Sequence, residues 1–587
     1  ADVPGSVHIV YRSHQELPEF LGPWQGQNRG VTAGNPAWDM AWRMPDSNLN
    51  LPSHQVSDIT LTDESALVFD MGGKILGRIF IEYTAPEGTR IDIGFAEDLT
   101  SDSLASVLKR PGIYTATRHI SAGGSQRHET FKPYGARYLQ VNVTGNRGPV
   151  TLKRLGMVSQ IYPFEKIGSF TCSDPLFNEI WELGWRTLLV CAEDTYTDTP
   201  FRERGLYAGD ALPQFAITLA GSGDPRLIKY SLEVFQDKYR GMFYPDKEKS
   251  GDEPGLLYDF PFITLEYFRW YVDWSGDIEF AAELYDNYRY MVENAVDKQQ
   301  KNGLFANLPA FVEWTRIDKR AQLTMMQSLL ARSFENMAHL AAKLDKPDDM
   351  HRYKQLVQET VQAVNRLCWD EKRGAYRDGF KNGEPIDHHY PISSAWMSLS
   401  GYNSKPRETI LTDFYRTELA DIGEISRARK VTPYGGFYVL GALYRHNRAD
   451  IAERFIRQYW TRMILNHNDT AWENFDDGSG PSSGQGTLSH AWSGGPTYYM
   501  TTDILGVRLG FPCFYSPDTV RIEPLAESIT WAEGTVPHPD GVVEVQWRVK
   551  GDQLFLNYTA PEGVTCIVKP RGRLADKRLW INGSSAH

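Results

Sequence analysis

The stretch Asp198-Thr-Pro-Phe-Arg-Glu-Arg-Gly-Leu-Tyr-Ala-Gly-Asp210 separates two segments whose apolar residues recur with helical period, roughly 174–192 and 209–221. Pro200 and Gly205 interrupt the pattern, so the stretch is a loop between two helices. The alternation of helical segment and short link continues at about 225–237, 262–275, 277–297, 321–344, 347–366, 391–400, 407–418, 434–446, 449–465 and 496–505. Twelve helices joined as hairpins across residues 166–505 predict an (α/α)6 barrel. A barrel of this kind opens its cleft at one end, among the interhelical loops, where ligand-binding residues are expected.

Outward from the helices the period changes to two. Segments such as Ala66-Leu-Val-Phe-Asp70, Arg78-Ile-Phe-Ile-Glu-Tyr83 and Arg90-Ile-Asp-Ile-Gly-Phe95 predict antiparallel strands of a β-sandwich over residues 61–165. Val542–Val549 and Gln553–Tyr558 predict a second antiparallel β-sandwich over residues 506–587. Tyr-Thr-Ala-Pro-Glu-Gly occurs at Tyr83–Gly88 and again at Tyr558–Gly563, each time closing a strand, which implies the same turn in both units. Residues 1–60, rich in Gly, Pro and Asn with Trp24, Trp38 and Trp42 among them, predict an irregular arm.

The opening loop carries three carboxylates, two arginines and a tyrosine. Tyr207, Asp210 and Gln214 share one face at the start of the following helix. Glu203 lies between Arg202 and Arg204, so its neighbours set its protonation, and a carboxyl held this way serves as an acid; a surface salt-bridge loop is the alternative. The string resembles the motif of the α-L-rhamnosidases of glycoside hydrolase family 78, Asp-x-Pro-x-Arg-Asp-Glu-Arg-x-Gly-Trp-x-Gly-Asp. The resemblance implies that Glu203 is the general acid, that Asp198, Arg202 and Asp210 hold the sugar, and that Tyr207 stands where the family has a tryptophan platform. This chain lacks the acidic residue before the glutamate and is one residue shorter there. Phe69-Asp-Met-Gly-Gly73, Ala96-Glu-Asp-Leu99 and Phe131–Tyr138 likewise resemble the family's preceding β-sandwich.

A second stretch, Asn468-Asp-Thr-Ala-Trp-Glu-Asn474, reads by itself as an exposed acidic loop, with Asp469, Asp476 and Asp477 around it. It resembles the family's Thr-Thr-x-Trp-Glu segment, which implies that Glu473 is the general base. Leu488-Ser-His490 follows as a serine and histidine do in the family, so His490 becomes a sugar contact. Among the loop aromatics, Trp472 and Trp314 are the expected stacking rings. Phe311–Trp314 resembles a family Gly-Asp-Trp position and Tyr258-Asp259 a Trp-Asp position, which adds Glu313 and Asp259 to the expected cleft.

Hydrolysis of a glycoside needs one protonated carboxyl and one carboxylate on the opposite face, and no cofactor. The family is inverting, so the two carboxyl groups are expected at the wider separation, roughly 6.5–9.5 Å. The expected activity is exo-acting release of terminal α-L-rhamnose, a deoxyhexose, from oligosaccharides, polysaccharides or glycosides. A different glycosidase or a polysaccharide lyase on the same barrel, with Tyr207 and His490 as its candidate groups, and a non-catalytic sugar-binding protein are the alternatives.

A net charge of −12, from 62 basic and 74 acidic residues, argues against a nucleic-acid partner. No apolar run reaches the roughly 18–20 residues of a membrane span. Five scattered cysteines form no Cys-x-x-Cys pair, so neither a zinc site nor a disulfide scaffold is expected. His388-His389 beside Asp387 has no matching metal-ligand spacing, and Gly480-Pro-Ser-Ser-Gly484 lacks the strand-to-helix elbow of a serine hydrolase. The chain opens on Ala1 without a charged-then-apolar leader, as after removal of a signal or trimming, and a periplasmic or extracellular location is the expectation. Oligomeric state is not legible in the sequence.

Overall fold

The computed structural model describes residues 2–3, 58–99, 105, 115–243, 257–306, 308–315, 317–401, 405–420, 430–465, 469–475 and 486–585. Nearly all of the expected 1–60 arm, Asn468, Asp476, Asp477 and Gly480–Gly484 lie outside the described residues.

Among the described residues twelve principal helices follow one another: α1 Pro175–Val190, α2 Ala208–Gly221, α3 Arg226–Lys238, α4 Asp259–Ser275, α5 Ile278–Val296, α6 Thr324–Lys343, α7 Pro347–Leu367, α8 Pro391–Ser400, α9 Lys405–Glu418, α10 Pro433–Arg445, α11 Ala449–Leu465 and α12 Gly495–Leu505, whose second half winds as a π-helix. A short turn of helix, Arg240–Phe243, follows α3. Proline occupies the first turn of α1, α7, α8, α10 and α12, where its missing N–H is not needed. The even-numbered helices contact one another in turn, α2 to α4, α6, α8, α10, α12 and back to α2, closing an inner ring. Their sequences explain the placement. All fourteen residues of α2 are buried, as are the described residues of α8 and nearly all of α10, so these helices have no solvent face. By contrast α3, α7 and α11 bury one stripe each and form part of the outer ring. No helix among the described residues is long and apolar enough to cross a membrane.

The N-terminal sandwich comprises β1 Asp2–Val3, β2 Ile59–Leu61, β3 Ser65–Ala85, β4 Arg90–Ala96, β5 Ala116–Ile120, β6 Gly124–Glu129, β7 Tyr134–Thr144 and β8 Val150–Ser159. Where the sequence suggests two strands, at 66–70 and 78–83, the chain runs as the single strand β3. Its first half pairs with β7 and its second with β8 and β6, so one strand serves both sheets, and its register slips between Asp70 and Ile75. Gly72, at φ +77°, provides the left-handed residue of that bulge. Alternate residues such as Leu67, Phe69, Ile79, Ile81, Ile91, Ile93, Val141 and Val143 fill the space between the sheets.

At the C-terminal end the strands Trp531–His538, Gly541–Lys550 and Gln553–Thr559 form an antiparallel meander, extended in parallel by Arg578–Ile581. Thr171–Cys172, which precedes the first helix, adds the opposite edge by pairing with Glu533 and Ala532. A second parallel pair joins Thr519–Ile522 to Thr565–Val568, a departure from the all-antiparallel expectation. The repeated hexapeptide ends in Gly88 at φ +79° and Gly563 at φ +85°, which is why both copies need glycine there. Buried Asp503 of α12 takes ion pairs from Arg508 and from Arg571, docking this unit on the barrel.

The N-terminal sandwich grips the loop between α1 and α2. Phe201 inserts into the sandwich core, and the Gly135 N–H donates to the Pro200 carbonyl at 3.0 Å. A Cβ on residue 135 would lie 2.6–2.8 Å from the Cβ, carbonyl carbon and carbonyl oxygen of Pro200, too close for the backbone to yield. Gly135→Ala is therefore expected to cost about 1–3 kcal/mol, the range for overpacking. The urea midpoint measures it, and an unchanged midpoint would show that the two units do not need this contact.

Candidate active site

Between α1 and α2 the chain folds back on itself through Asp198. Its N–H donates to the Gly205 carbonyl at 2.9 Å, and its Oδ1 accepts the Gly205 N–H at 2.7 Å. This clasp places residues 199–204 in a tight excursion in which Arg204 adopts φ +53°, uncommon for a non-glycine residue. Arg204 is held there by a forked ion pair to Glu193 and by its Nη1 donating to the Pro133 carbonyl at 2.9 Å. The two arginines flanking Glu203 thus separate, Arg204 pairing with Glu193 and Arg202 with Glu203.

Arg202 turns toward the barrel and binds two carboxylates. Its Nη1 lies 2.7 Å from Glu203 Oε1, and its Nη2 lies 3.1 and 3.0 Å from Glu473 Oε1 and Oε2. Glu203 keeps 42% of its side chain exposed and accepts from the Tyr207 hydroxyl at 3.1 Å on Oε2. Glu473 is buried, accepting the Thr487 N–H at 2.9 Å and its hydroxyl at 3.3 Å. Burial raises the Glu473 pKa above the ordinary carboxylate range, against the opposing pull of Arg202 and the Thr487 N–H.

Behind this pair lies a buried acidic floor. Asp198 is pushed up to about 7 by burial, with the Gly205 N–H lowering it and the charge of Glu203 adding to the rise. Asp210, in the first turn of α2, is raised well above its ordinary value by burial and by Asp198. Its Oδ1 has no hydrogen-bond partner and lies 3.6 Å from the equally unpartnered Nδ1 of His490. Burial, and then Arg202, lower the His490 pKa well below its usual value, so the ring is neutral. The His490 ring stacks on Trp492 at 4.1 Å, and Trp492 stacks on Tyr434 at 5.0 Å.

The sandwich also supports the second stretch. Lys74 and Glu97 form a fully buried ion pair at 2.9 Å, and Glu97 Oε2 accepts the Leu488 N–H at 3.0 Å, one residue from the Thr487 that binds Glu473. The Lys74 N–H donates to Asp469 Oδ2 at 2.8 Å, and Asp469 is also paired with Arg186. The sequence reading did not single out Lys74, Glu97 or Tyr434. The matched Ala96-Glu-Asp-Leu99 contained Glu97, but only the fold shows what it supports.

The remaining expected residues separate by burial. Trp314 is 47% exposed beside Phe311, a ring open for stacking. The Trp472 ring, by contrast, packs in the barrel core at 1% exposure, so it presents no open face. Tyr207 carries the Lys238 ammonium over its ring at 4.6 Å and gives its hydroxyl to Glu203, so it positions the acid candidate while one face of its ring is covered. Asp259 is fully buried and accepts the Phe311 and Val312 N–H groups at 2.9 and 2.7 Å, which holds Val312 at φ +62°. For a β-branched residue this is backbone strain, and strain of this kind collects at ligand sites. Buried Glu313 accepts the Thr432 N–H at 3.0 Å and its hydroxyl, at the N-terminus of α10. Thus Asp198, Arg202, Glu203, Tyr207, Asp210, Glu473 and His490 form one cluster, while Asp259 and Glu313 brace the loop between α5 and α6. Asp370, Asp387 and His389 form the one His/Cys/Asp/Glu group close enough to share an ion among the described residues, and Asp370 is already paired with Arg377 at 2.8 Å.

Comparisons with known proteins agree with this architecture. The bacterial alpha-L-rhamnosidase 6 hairpin glycosidase domain matches residues 165–504, the concanavalin-like domain of the same proteins residues 60–158, and their C-terminal domain residues 517–576. An alpha-L-rhamnosidase of Alteromonas sp. (strain LOR) is 22% identical over 565 residues, covering 89% of this chain and 58% of that protein. The GH78 family rhamnosidase of Bacillus sp. GL1 superposes with a TM-score of 0.76 at 25% identity, covering 89% of this chain and 56% of that one. The rhamnosidase from Klebsiella oxytoca with rhamnose bound shares the fold at 19% identity and a TM-score of 0.63, over 76% of this chain and 88% of that one. The chain therefore spans little more than half the length of the Alteromonas and Bacillus proteins.

Glu313 offers a test of the buried electrostatics. Burial pushes its pKa up to about 7, against the hydrogen bonds from Thr432. As pH rises from about 4 to about 7 the unfolded chain releases this proton while the folded chain retains it, so stability falls across that window. Glu313→Gln cannot ionise. Relative to the parent it should gain on the order of 3 kcal/mol between about pH 4.5 and 7.5 in urea titrations, whereas a constant difference would mean that Glu313 titrates normally.

Proposed function

The chain belongs to the bacterial α-L-rhamnosidase family, and from that premise we propose that it is an exo-acting, inverting glycoside hydrolase that removes terminal α-L-rhamnose. Glu203 is the general acid and Glu473 the general base. The observation that carries this reading is the Arg202 fork, with one nitrogen on each glutamate. Each glutamate takes a different nitrogen of one guanidinium, so the two carboxyl groups stand apart, in keeping with the roughly 6.5–9.5 Å of inverting pairs.

Each group has a chemical part. Glu203, the more exposed of the two, meets the glycosidic oxygen and gives it a proton as the bond to the anomeric carbon breaks. Glu473 is buried against a cation and two Thr487 donors, and takes a proton from the water that attacks the opposite face. Both Glu203 oxygens are already engaged, Oε1 in the ion pair with Arg202 and Oε2 by the Tyr207 hydroxyl, so the substrate oxygen must displace one of these partners to receive the proton. Sugar hydroxyls supply donors and acceptors for the unpartnered Asp210 Oδ1 and His490 Nδ1. Exposed Trp314 offers a ring to the sugar's apolar face.

Turnover of p-nitrophenyl α-L-rhamnopyranoside, with the released sugar followed by NMR, tests the scheme. The β anomer should appear first, and Glu203→Gln and Glu473→Gln should each lower kcat by at least about 10²- to 10⁴-fold. Initial release of the α anomer would remove the inverting assignment, and full turnover by either variant would remove that residue from its role.

Arg202 separates from these two in its pH behaviour. Its charge opposes the burial-driven rise of the Glu473 pKa, so Arg202→Gln should move the acidic limb of the kcat/KM profile to higher pH, besides lowering its maximum. A lower maximum with an unmoved limb would mean that Arg202 binds sugar without tuning the base.

A further inference from the structure

The sandwich loop that props up the acid loop has a second face, open to solvent. Between the edge strands β5 and β6, beside residues Thr130–Tyr134, lies a cavity of about 330 Å³. His119 and His128 face each other across these strands with ring centroids 3.3 Å apart, and both line the cavity. The His119 Nε2 is buried without a hydrogen-bond partner. On the rim, Phe131 is completely exposed, at 101%. Lys132 next to it is also exposed and has no carboxylate partner among the described residues, its ammonium lying 5.2 Å from the Tyr134 ring centre. Arg118, also in the lining, is already forked onto Asp92 at 2.6 and 2.7 Å and adds no free charge.

These features together match one kind of ligand. A completely exposed aromatic ring beside a partnerless imidazole nitrogen and a free ammonium offers an apolar platform with polar groups at its edge, and a pyranose presents a C–H face ringed by hydroxyls. The volume suits a small molecular unit, not a protein segment. A single unpaired cation on a chain of net charge −12 does not make a polyanion track. Burial, and then the neighbouring His128, hold the His119 pKa down to about 4, so both acceptor and donor roles of a neutral imidazole are available to hydroxyls.

The loop that lines the cavity also touches the acid loop. The lining loop contributes the Pro133 carbonyl to Arg204, the residue after Glu203, and the next residue after Tyr134 donates its N–H to Pro200. Resting on the glycosidase reading above, we propose that the β5–β6 cavity is an accessory saccharide subsite that holds a sugar unit of the substrate remote from the cleaved bond. Phe131 stacks on the sugar's apolar face, and Lys132 and His119 Nε2 bond its hydroxyls.

The test compares a substrate too short to reach the cavity with a long one, using the full chain and the variants Phe131→Ala, Phe131→Trp and Lys132→Ala, all exposed positions. With p-nitrophenyl α-L-rhamnopyranoside, kcat and KM should match the parent in every variant. With gum arabic, whose branches end in α-L-rhamnose, Phe131→Ala should raise KM about five- to tenfold at unchanged kcat, as expected for loss of one stacking contact, and Phe131→Trp should restore it. Unchanged KM for gum arabic in both Phe131→Ala and Lys132→Ala would overturn the subsite. Native electrophoresis through gels containing gum arabic gives a readout independent of catalysis. Retardation of the parent but not of Phe131→Ala supports the subsite even if the parent cleaves neither substrate, which would defeat the glycosidase reading alone; equal mobility of the two overturns the subsite.

Discussion

One guanidinium organises the centre of this molecule. Arg202 makes a charge-assisted contact to Glu203 with one nitrogen and to Glu473 with the other, joining two loops that are 271 residues apart as counted from Arg202 to Glu473. A buried carboxylate is costly unless paired and hydrogen-bonded, and Glu473 has both kinds of partner. Without Arg202 the pocket would favour a neutral Glu473, and without Glu473 the buried part of Arg202 would lose its compensation. The two side chains stabilise each other's charge, and the geometry of the cluster follows from that mutual dependence.

That pairing holds only because the loops carrying it are pinned from outside the barrel. Phe201 in the sandwich core, the Gly135–Pro200 hydrogen bond and the Arg204 contacts fix the first loop, while Lys74 and Glu97 fix the second through Leu488 and Asp469. The inner helices are buried on all sides and fill their own ring, so they cannot also reach out to order long surface loops. A β-sandwich laid against the barrel mouth supplies the missing walls. Specific polar contacts, such as the buried Lys74–Glu97 pair, add directionality that an apolar interface alone would lack.

Much of this was legible in the sequence, for physical reasons that also explain what was not. Helices bury a stripe or a whole surface over ten residues or more, so their period survives local exceptions, and prolines at α1, α7, α8, α10 and α12 mark their starts. The clustering of Asp198, Arg202, Glu203 and Asp210 follows from their shared loop. What failed depended on tertiary contacts. The Gly72 bulge merges two apparent strands into β3, and a two-residue strand at Thr171 has no period to read. Trp472 looks like a loop aromatic because its neighbours are polar, yet its ring enters the core. The divergence of Arg202 from Arg204 turns on a single left-handed residue that neither composition nor spacing encodes.

The short strand Thr171–Cys172 has a consequence for how the chain reaches this state. It lies before α1 yet completes an edge of the C-terminal sheet, and Ser169 bonds Thr535 from 366 residues away. The whole barrel is therefore a loop closed by strands at its base, and that closure is among the longest-range contacts in the chain. Contacts of such separation are entropically late, since the intervening chain must be ordered before they become favourable. During synthesis the N-terminal sandwich can assemble as soon as it emerges, whereas the entry segment of the first helix stays unpaired until Trp531–His538 has been made. Barrel and C-terminal sheet are in this sense a single cooperative folding unit, and a chain ended after α12 would leave Thr171 and Cys172 as an unmatched edge.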